Sequence, residues 1–543
     1  MLEQLDNRSL LYLATPAFVF ASVNWCRKHW ENRSRRPLPP GPPCLPILGS
    51  ILSLDDPARP WLGFNAWKST YGDIIYVRLL TKSILVVNSE KVARDLFELR
   101  SVIYSDRPQS IVYEPFALDF NTGLLPYGDK WRLHRRIFHQ QFHRAAIHTY
   151  HAELLRGAHQ MLFNFLQDPT NYTGHVRMFT SSFILSVVYD YQPTSENDHV
   201  VHIMRKFMKL VVTAVGPGAT VVIETFPFLL QLPVWFPGAI FKRASVECLQ
   251  VGHDTKEIPF QCYNGLTQNH NQSNGQMPQC LVADTMNRMR GFENEVIEAA
   301  IKEAACISFA AASETTFGTI FVFLLAMILH PEVQAKAQAD IDRAVGKDRL
   351  PDFNDRPALP YVEAVLRETL RWHPLFPMGI PHATTTSDIY KGYFIPKGVI
   401  VIANTWAMTR DEQKYPNPDE FKPERFLHED GSLTSDTMSL AFGWGRRMCV
   451  GQHLGDAALW IAITSFLATF SVHKAFDESG EEIPVVPKFP ASIISPPETF
   501  PCQIVPRFKD ASVERLTQLT GLGPSEFINM NFDPNADIVA EQS

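Results

Sequence analysis

The sequence predicts a mainly α-helical fold with small β-sheets, preceded by an N-terminal membrane anchor. Helical periodicity dominates beyond residue 130, and its clearest segments are 150–167, 292–330 and 360–372. Strand patterns are short and few, and they lie at 73–80, 83–88, 388–395 and 399–406. The third observation is an uncharged run near the N-terminus, which sets the first residues apart from a globular body.

The anchor prediction rests on residues 9–26, which carry no charge between Arg8 and Arg27. About 20 apolar residues cross a bilayer core, so this run is short, and a secretory signal peptide is the alternative. No small-residue cleavage site follows the run. Five basic residues and one acidic residue follow instead at 27–36. Positive charge on that side predicts that the bulk of the protein lies in the cytosol.

The segments that flank the anchor and end the chain have distinct compositions. Residues 1–8 form a short N-terminal segment, and 27–49 form a basic linker whose six prolines favour an extended, stiff chain. The polar stretch 264–276 predicts a loop. Residues 509–543 are acidic and weakly periodic, which predicts a peripheral or disordered tail.

The overall composition excludes several classes of protein. Hydrophobic residues make up 45% of the chain, charged residues 20%, and the formal net charge is −7. This balance is typical of a globular protein, and we expect no nucleic-acid partner. The eight cysteines include no C-x-x-C pair, so the sequence indicates neither a zinc site nor a disulfide framework. We expect the globular part to lie in a reducing compartment.

An uncharged aromatic segment covers residues 225–241. Three prolines within it rule out a continuous helix, and it is too short to span a bilayer. Two interpretations remain open. The segment is either buried core, or a loop that dips into a membrane surface with Trp235 and Phe236 at the interface.

The segment 442–455 places Cys449 among four glycines and two arginines, just before a helix predicted from about residue 452. An isolated cysteine is most often a small buried hydrophobe. Glycines, however, let the backbone approach a flat and bulky group, and the start of a helix stabilises a negative sulfur. A nucleophilic cysteine would need a partner base, and only His453 is near in sequence. The pattern therefore favours a thiolate that binds a metal.

Phe442, Gly445, Arg447, Cys449 and Gly451 match F-x-x-G-x-R-x-C-x-G, and the chain thereby resembles the cytochrome P450 superfamily, whose haem-binding signature this is. The resemblance extends over about residues 36–508. It implies a single, mainly helical catalytic domain with small sheets, at 50–508. It also implies haem b as cofactor, with Phe442 in its binding loop and Cys449 as the axial ligand of the iron. Thiolate donation to haem iron favours O–O cleavage.

Two further motifs follow the order of the family. The segment "ETLR" contains Glu368 and Arg371, whose spacing of three residues puts both on one helix face, and "PERF" contains Arg425. An isolated E-x-x-R pair is most often a solvated surface bridge. The resemblance implies that Glu368, Arg371 and Arg425 form a structural group beneath the haem.

The haem propionates need cationic or hydrogen-bonding partners. By resemblance these partners are Trp131, Arg135, His382 and Arg447. Arg135 could instead be a solvated helix residue, and His382 an ordinary loop histidine. Many relatives carry an arginine where this chain has Ala383.

The segment "AAASETT" (310–316) resembles the oxygen-activation motif A-G-x-[DE]-T-[TS] of the family. Glu314 and Thr315 stand at its acid and hydroxyl positions, and the resemblance implies that they relay protons during oxygen activation. Ala312 departs from the pattern, because glycine is usual there.

The resemblance implies a haem-thiolate monooxygenase that inserts one atom of O2 into a small apolar molecule. Electrons would come from NADPH through NADPH–cytochrome P450 reductase, with cytochrome b5 as a second candidate donor. The anchor predicts a single-pass protein of the endoplasmic reticulum membrane, in contact with lipid. Stretches such as "YGDKWR" and "NTWAMTRD" resemble fungal members of secondary metabolism, which act on terpenoid, polyketide or indole products.

Two alternatives remain. A haem-thiolate isomerase or dehydratase would use the same cysteine loop without O2, although such enzymes often lack the acid–threonine pair. A non-catalytic haem- or lipid-binding membrane protein would keep the pocket and lose turnover.

Overall fold

The computed structural model describes residues 36–522, except for residues 47, 81, 194, 196–197, 215–216, 273–278, 290–294 and 509–511. The predicted anchor at 9–26 and the linker before residue 36 lie outside the described residues, as does the tail beyond residue 522. The chain divides into two compact units. The first comprises residues up to Pro108 together with Met378–Met408, and the second comprises Gln109–Pro377 and the residues from Thr409 onward. The prediction of one catalytic domain over 50–508 stays a prediction.

The first unit is built on a four-stranded sheet. Its strands, in spatial order, are β1 (Ile74–Leu79), β2 (Lys82–Val87), β6 (Ile400–Ala403) and β3 (His382–Ala383). Strands β4 (Asp388–Tyr390) and β5 (Tyr393–Ile395) form a separate antiparallel hairpin. Strands β1 and β2 pair antiparallel, and Ile75 and Val77 face a buried core, as their alternation with polar residues requires. The strands predicted at 73–80 and 83–88 are thereby confirmed. Those predicted at 388–395 and 399–406 are confirmed in part, because the first is a hairpin of two short strands and residues 405 and 406 belong to a helix.

The first unit also contains short helices. They are α1 (Pro60–Ala66), α2 (Lys68–Tyr71), α3 (Glu90–Ala93), a π-helical stretch at Arg94–Leu99, and α4 (Ser101–Tyr104).

The second unit is mainly helical. Its long helices are α5 (Asp129–Phe142), α6 (His151–Gln167), α7 (Tyr172–Tyr189), α8 (His199–Ala214), α9 (Pro217–Thr225), α10 (Ile240–Gln272), α11 (Leu281–Arg288), α12 (Glu295–Leu329), α13 (Pro331–Ala344) and α14 (Pro360–Trp372). The short helix α15 (Thr405–Thr409) leads from the first unit into it, and α16 (Gln452–Thr469), β7 (Phe470–Lys474), β8 (Cys502–Pro506) and α17 (Val513–Thr520) follow. Strands β7 and β8 pair antiparallel. The predicted helical segments 150–167, 292–330 and 360–372 correspond to α6, α12 and α14.

Helix α12 is the central element of this unit. It packs against α5, α7 and α16, and its side chains between Phe317 and Ile328 are almost all buried. Among the described residues it is also the one helix that is long and apolar enough to cross a bilayer, but 78% of its apolar window is buried within the protein. Its hydrophobicity is therefore that of a core helix.

The loop predicted at 264–276 is wrong for the residues that the structure describes, since 273–276 lie outside them, and the predicted tail is folded in part. Residues 264–272 continue helix α10 and are not a loop. Once a long helix is nucleated, each added residue gains a backbone hydrogen bond, so polar side chains are tolerated at its end. Within the predicted tail, α17 buries Leu516 and Leu519, and Ser512 accepts a capping hydrogen bond from the Arg515 amide. Residues 513–520 are therefore folded, and disorder is excluded for them.

The aromatic segment 225–241 is exposed. Between α9, which ends at Thr225, and α10, which begins at Ile240, regular structure is limited to a single 3₁₀ turn at Pro227–Leu230. Trp235 is 80% exposed and Phe236 is 41% exposed. The interpretation of this segment as buried core is therefore wrong.

Candidate functional site

The loop before helix α16 holds Cys449 in a fixed backbone frame. Gly443 and Gly445 have φ values of 86° and 52°, which glycine adopts without the steric cost that other residues incur. The Cys449 amide donates a 2.8 Å hydrogen bond to the carbonyl of Phe442. Helix α16 begins three residues after the cysteine, as predicted, with Gly451 as its N-cap residue. The positive end of the helix thus lies beside the sulfur.

Cys449 lies deep in the second unit, yet its side chain is exposed. A thiol that is both deep and accessible faces open space inside the protein. Burial raises the pKa of the Cys449 thiol, while the Gly451 amide and the charge of Arg135 act in the opposite direction. The net pKa shift of Cys449 is upward, so the thiolate form depends on a bound metal, and the Gly451 amide and the Arg135 guanidinium would then stabilise the negative sulfur.

The predicted propionate partners from the second unit cluster on Trp131. The Arg447 guanidinium lies 4.4 Å from the centre of the Trp131 ring, and that of Arg135 lies 5.7 Å from it. Arg447 Nη2 donates to the carbonyl of Leu125 at 2.9 Å, and Arg135 Nη1 donates to the carbonyl of Met448 at 2.7 Å.

Burial lowers the pKa of Arg135, against the effect of Cys449. Arg447 is buried, at 9% exposure, and Arg135 is half-buried. Two neighbouring cations withdrawn from water in this way carry a desolvation cost that an anion beside them would offset. The pair therefore fits the carboxylates of a haem.

His382 belongs to the first unit and is fixed there. Its Nδ1 lies 2.7 Å from the carbonyl oxygen of Tyr104, which can only accept, so this nitrogen carries the hydrogen. The ring also lies 4.5 Å from that of Phe97. The structure thus brings together Trp131, Arg135 and Arg447, and it describes His382 within the first unit alone.

Glu368, Arg371 and Arg425 lie together in the second unit. Glu368 and Arg371, both on α14 and fully buried, form a bidentate pair with distances of 2.6 and 2.8 Å. Arg425 Nε lies 3.1 Å from Glu368 Oε1. The remaining donors of Arg371 reach three backbone carbonyls, those of Thr409, Pro418 and Glu420. The guanidinium therefore fastens residues 409–420 to α14.

The predicted relay residues lie on α12, but the two side chains have different partners. Thr315 Oγ1 donates to the carbonyl of Ala311, one turn earlier, at 2.8 Å. Glu314 Oε1 lies 3.3 Å from Arg177 Nη1 on α7. Ala311 is exposed although it lies in the middle of a mostly buried helix, so this part of α12 also borders open space.

Sequence reasoning missed three contributors to the site. Arg177 is the one arginine of an otherwise largely apolar helix, and that isolation is a usable signal because a charge in such a helix needs a partner. Tyr127 accepts a hydrogen bond from Arg446, and its ring lies 4.8 Å from that of Trp131. Leu125 acts through its backbone carbonyl, for which the sequence carries no signal.

Comparison with known proteins gives a consistent result. The family model described as Cytochrome P450 matches residues 39–500. The chain is 37% identical over 504 residues to cytochrome P450 monooxygenase 136 of Postia placenta, covering 91% of this chain and 94% of that protein. It is 37% identical to cytochrome P450 monooxygenase claR of Ampulloclitocybe clavipes, covering 90% and 89%. It is 36% identical to cytochrome P450 monooxygenase ple1 of Rhodocybe pseudopiperita, covering 91% and 94%.

Proposed function

The chain belongs to the cytochrome P450 family and is a monooxygenase, and we propose that it oxidises a small apolar metabolite at a haem ligated by Cys449. Haem iron is the cofactor of the family, and haem b is the form we propose. The observation that carries the proposal is the deep but accessible thiol of Cys449 beside the guanidinium pair of Arg135 and Arg447.

Each residue of the site has a role that follows from its contacts. Arg135 and Arg447 hold the haem carboxylates, and Trp131 covers both guanidinium groups, which limits their hydration. The Phe442 carbonyl accepts from the Cys449 amide and so fixes the backbone that carries the sulfur. Glu368, Arg371 and Arg425 hold the chain that leads to this loop. When bound, the haem supplies the iron at which O2 is activated.

Glu314 and Thr315 move protons to the reacting oxygen. The Thr315 hydroxyl donates to the carbonyl of Ala311, which is exposed, so the hydroxyl lies one helical turn from the open space that borders this part of α12. Glu314 is 28% exposed and so has contact with solvent, from which it takes up protons. A positioned proton donor of this kind contributes about 10²–10⁴-fold to a rate.

The partners follow from the chemistry of the family. The enzyme needs O2, an organic substrate and a reductase, which we propose to be NADPH–cytochrome P450 reductase, with cytochrome b5 as a second donor. We place the protein on the endoplasmic reticulum membrane through residues 9–26. The exposure of Trp235 and Phe236 supports a second contact with lipid, because large aromatic side chains favour the bilayer interface.

The substrate class is a small apolar product of fungal secondary metabolism, of terpenoid, polyketide or indole type. The relatives named above are fungal monooxygenases, which supports the fungal origin in this proposal. A panel of such compounds, added to the purified haem protein, identifies binders by the shift of the haem spectrum from low to high spin. NADPH consumption and oxygenated product with a reductase are then expected. Product without NADPH use would favour the isomerase, and binding without product a carrier.

The ligand assignment is tested by Cys449→Ala. We expect this variant to lose the thiolate-type Soret band of the reduced, CO-bound protein. Cys44→Ala is the matched control, because Cys44 is another exposed free cysteine and lies in the first unit. A thiolate-type band that persists in Cys449→Ala would overturn the assignment.

A further inference from the structure

His134 is a fully buried histidine with a polar contact at each ring nitrogen. It lies on α5, between Trp131 and Arg135, one turn from the first and adjacent to the second. Its Nδ1 is 2.8 Å from Thr122 Oγ1, and its Nε2 is 3.1 Å from Glu303 Oε2 on α12. The imidazole therefore touches a loop and a helix that are far apart in sequence.

The carboxylate end of this contact is charged. Burial raises the pKa of Glu303, but the contacts with His134 and Lys130 outweigh it, and the net shift is downward. Lys130, one turn before His134 on α5, lies 2.9 Å from the same carboxylate oxygen. The 3.1 Å approach of His134 Nε2 to Glu303 Oε2 is a close polar contact without the geometry of a hydrogen bond, whereas His134 Nδ1 forms a hydrogen bond with the Thr122 hydroxyl. The imidazole therefore joins the loop of Thr122 to α12.

Thr122, the loop residue that contacts His134, is connected to the candidate haem site through its own turn. Thr122 belongs to a turn in which the amides of Leu124 and Leu125 both donate to the carbonyl of Asn121. The carbonyl of Leu125, three residues after Thr122, accepts the 2.9 Å hydrogen bond from Arg447. His134 thus holds the turn that orients Arg447, while its own helix carries Trp131 beneath that guanidinium.

We propose that His134 is a positioning residue, which fixes Arg447 toward the haem carboxylates by joining Thr122 to Glu303. This inference rests on the proposed function, since it concerns the same cofactor. In this proposal His134 does not itself contact the haem, and it affects Arg447 through the turn at 121–125. Loss of the contact leaves Leu125 and Arg447 less constrained, so the haem carboxylates are held less firmly.

The test is the rate at which the ferric protein transfers haem to apomyoglobin. We expect Thr122→Val and His134→Phe to raise that rate about threefold to tenfold, the effect of one lost hydrogen bond. The reduction potential should become more negative in both, because a carboxylate that is less neutralised favours the oxidised iron. His159→Phe is the matched control, since His159 is a buried histidine on α6 whose pKa burial lowers to about 4.

A double variant completes the design. Thr122→Val removes one of the two contacts that His134→Phe removes, so the double variant should release haem no faster than His134→Phe alone. Additive effects, or a release rate and potential in Thr122→Val equal to those of the wild type, would overturn the inference. Thr122→Val keeps the shape of the side chain, which separates this outcome from misfolding. Failure of the wild-type protein to bind haem through a thiolate would instead overturn the proposed function.

Discussion

The guanidinium of Arg177 lies 3.3 Å from the carboxylate of Glu314 and 4.1 Å from the centre of the Phe317 ring. The two charged side chains come from different helices, α7 and α12, and both are about one-quarter exposed. An ion pair with this much solvent contributes about 0.2–1 kcal/mol. Arg177 can therefore orient Glu314 without holding it permanently, which suits an acid that must exchange protons.

Arg177→Gln should loosen Glu314 and make proton delivery less efficient. We expect hydrogen peroxide released per NADPH to rise by up to about fivefold, the rate equivalent of a partly exposed ion pair. Arg177→Lys retains the charge and should lie closer to the wild type. Equal peroxide yields in all three proteins would show that the pair has no part in the relay.

Much of the fold could be predicted because its signals are local. The alternation of Ile75 and Val77 with polar residues is enough to orient β1 on its core. The contact between Glu314 and Arg177 could not be predicted, because it joins residues 137 positions apart. It depends on how α7 packs against α12, and no spacing within either helix carries that information.

The aromatic segment illustrates a different limit. Trp235 and Phe236 have the composition of core residues, and hydrophobicity alone does not distinguish a buried cluster from an exposed one. The prolines around them prevent the helix or strand that would turn these side chains inward.

The candidate site could be predicted only in part from the sequence. Trp131, Arg135 and Arg447 were named from motifs, whereas no motif reveals the carbonyl of Leu125.

The exposed aromatic segment should bind membranes independently of the N-terminus. A protein that lacks residues 1–36 should lose integral insertion but keep salt-resistant binding to vesicles, which the double change Trp235→Ser and Phe236→Ser should weaken. Phe476→Ser is the matched control, because Phe476 is a 55% exposed aromatic residue outside this segment. A truncated protein that does not sediment with vesicles at any salt concentration would contradict the second contact.

Glu368→Gln should destabilise the protein strongly. The change leaves the guanidinium of Arg371, which is fully buried, without its counter-charge, and breaking a buried pair in this way costs about 3–5 kcal/mol. The urea midpoint of the haem-bound protein measures the effect. Lys474→Met is the control, since the pair of Lys474 with Glu482 is exposed, and it should leave the midpoint unchanged. A midpoint shift in Glu368→Gln no larger than in the control would mean that water replaces the lost charge.

Thr315→Ala should separate oxygen consumption from product formation. The variant keeps the haem, because Thr315 lies on α12 and not in the loop of Cys449, but it loses the hydroxyl beside the open space at Ala311. Water can replace part of the lost hydroxyl, so we expect a loss of coupled turnover near the lower end of 10²–10⁴-fold, about 10²-fold. Product and peroxide per NADPH, measured with the spectrum of the bound haem, check this. Unchanged coupling would mean that the proton path runs elsewhere.

Ala312→Gly tests the departure from the family pattern on the same helix. Glycine in a helix interior is less favourable than alanine by about 0.8–1 kcal/mol, so the variant should open α12 near Thr315 more readily than the native chain does. If proton delivery is already effective with alanine at position 312, easier opening of the helix gives no benefit. Product formed per NADPH should then stay within about twofold of the wild type, since most of the contribution to proton delivery comes from the positioned hydroxyl. A large gain in product per NADPH would instead show that Ala312 restrains the native relay. The combination with Thr315→Ala distinguishes the two cases, because an open helix without its hydroxyl should gain nothing.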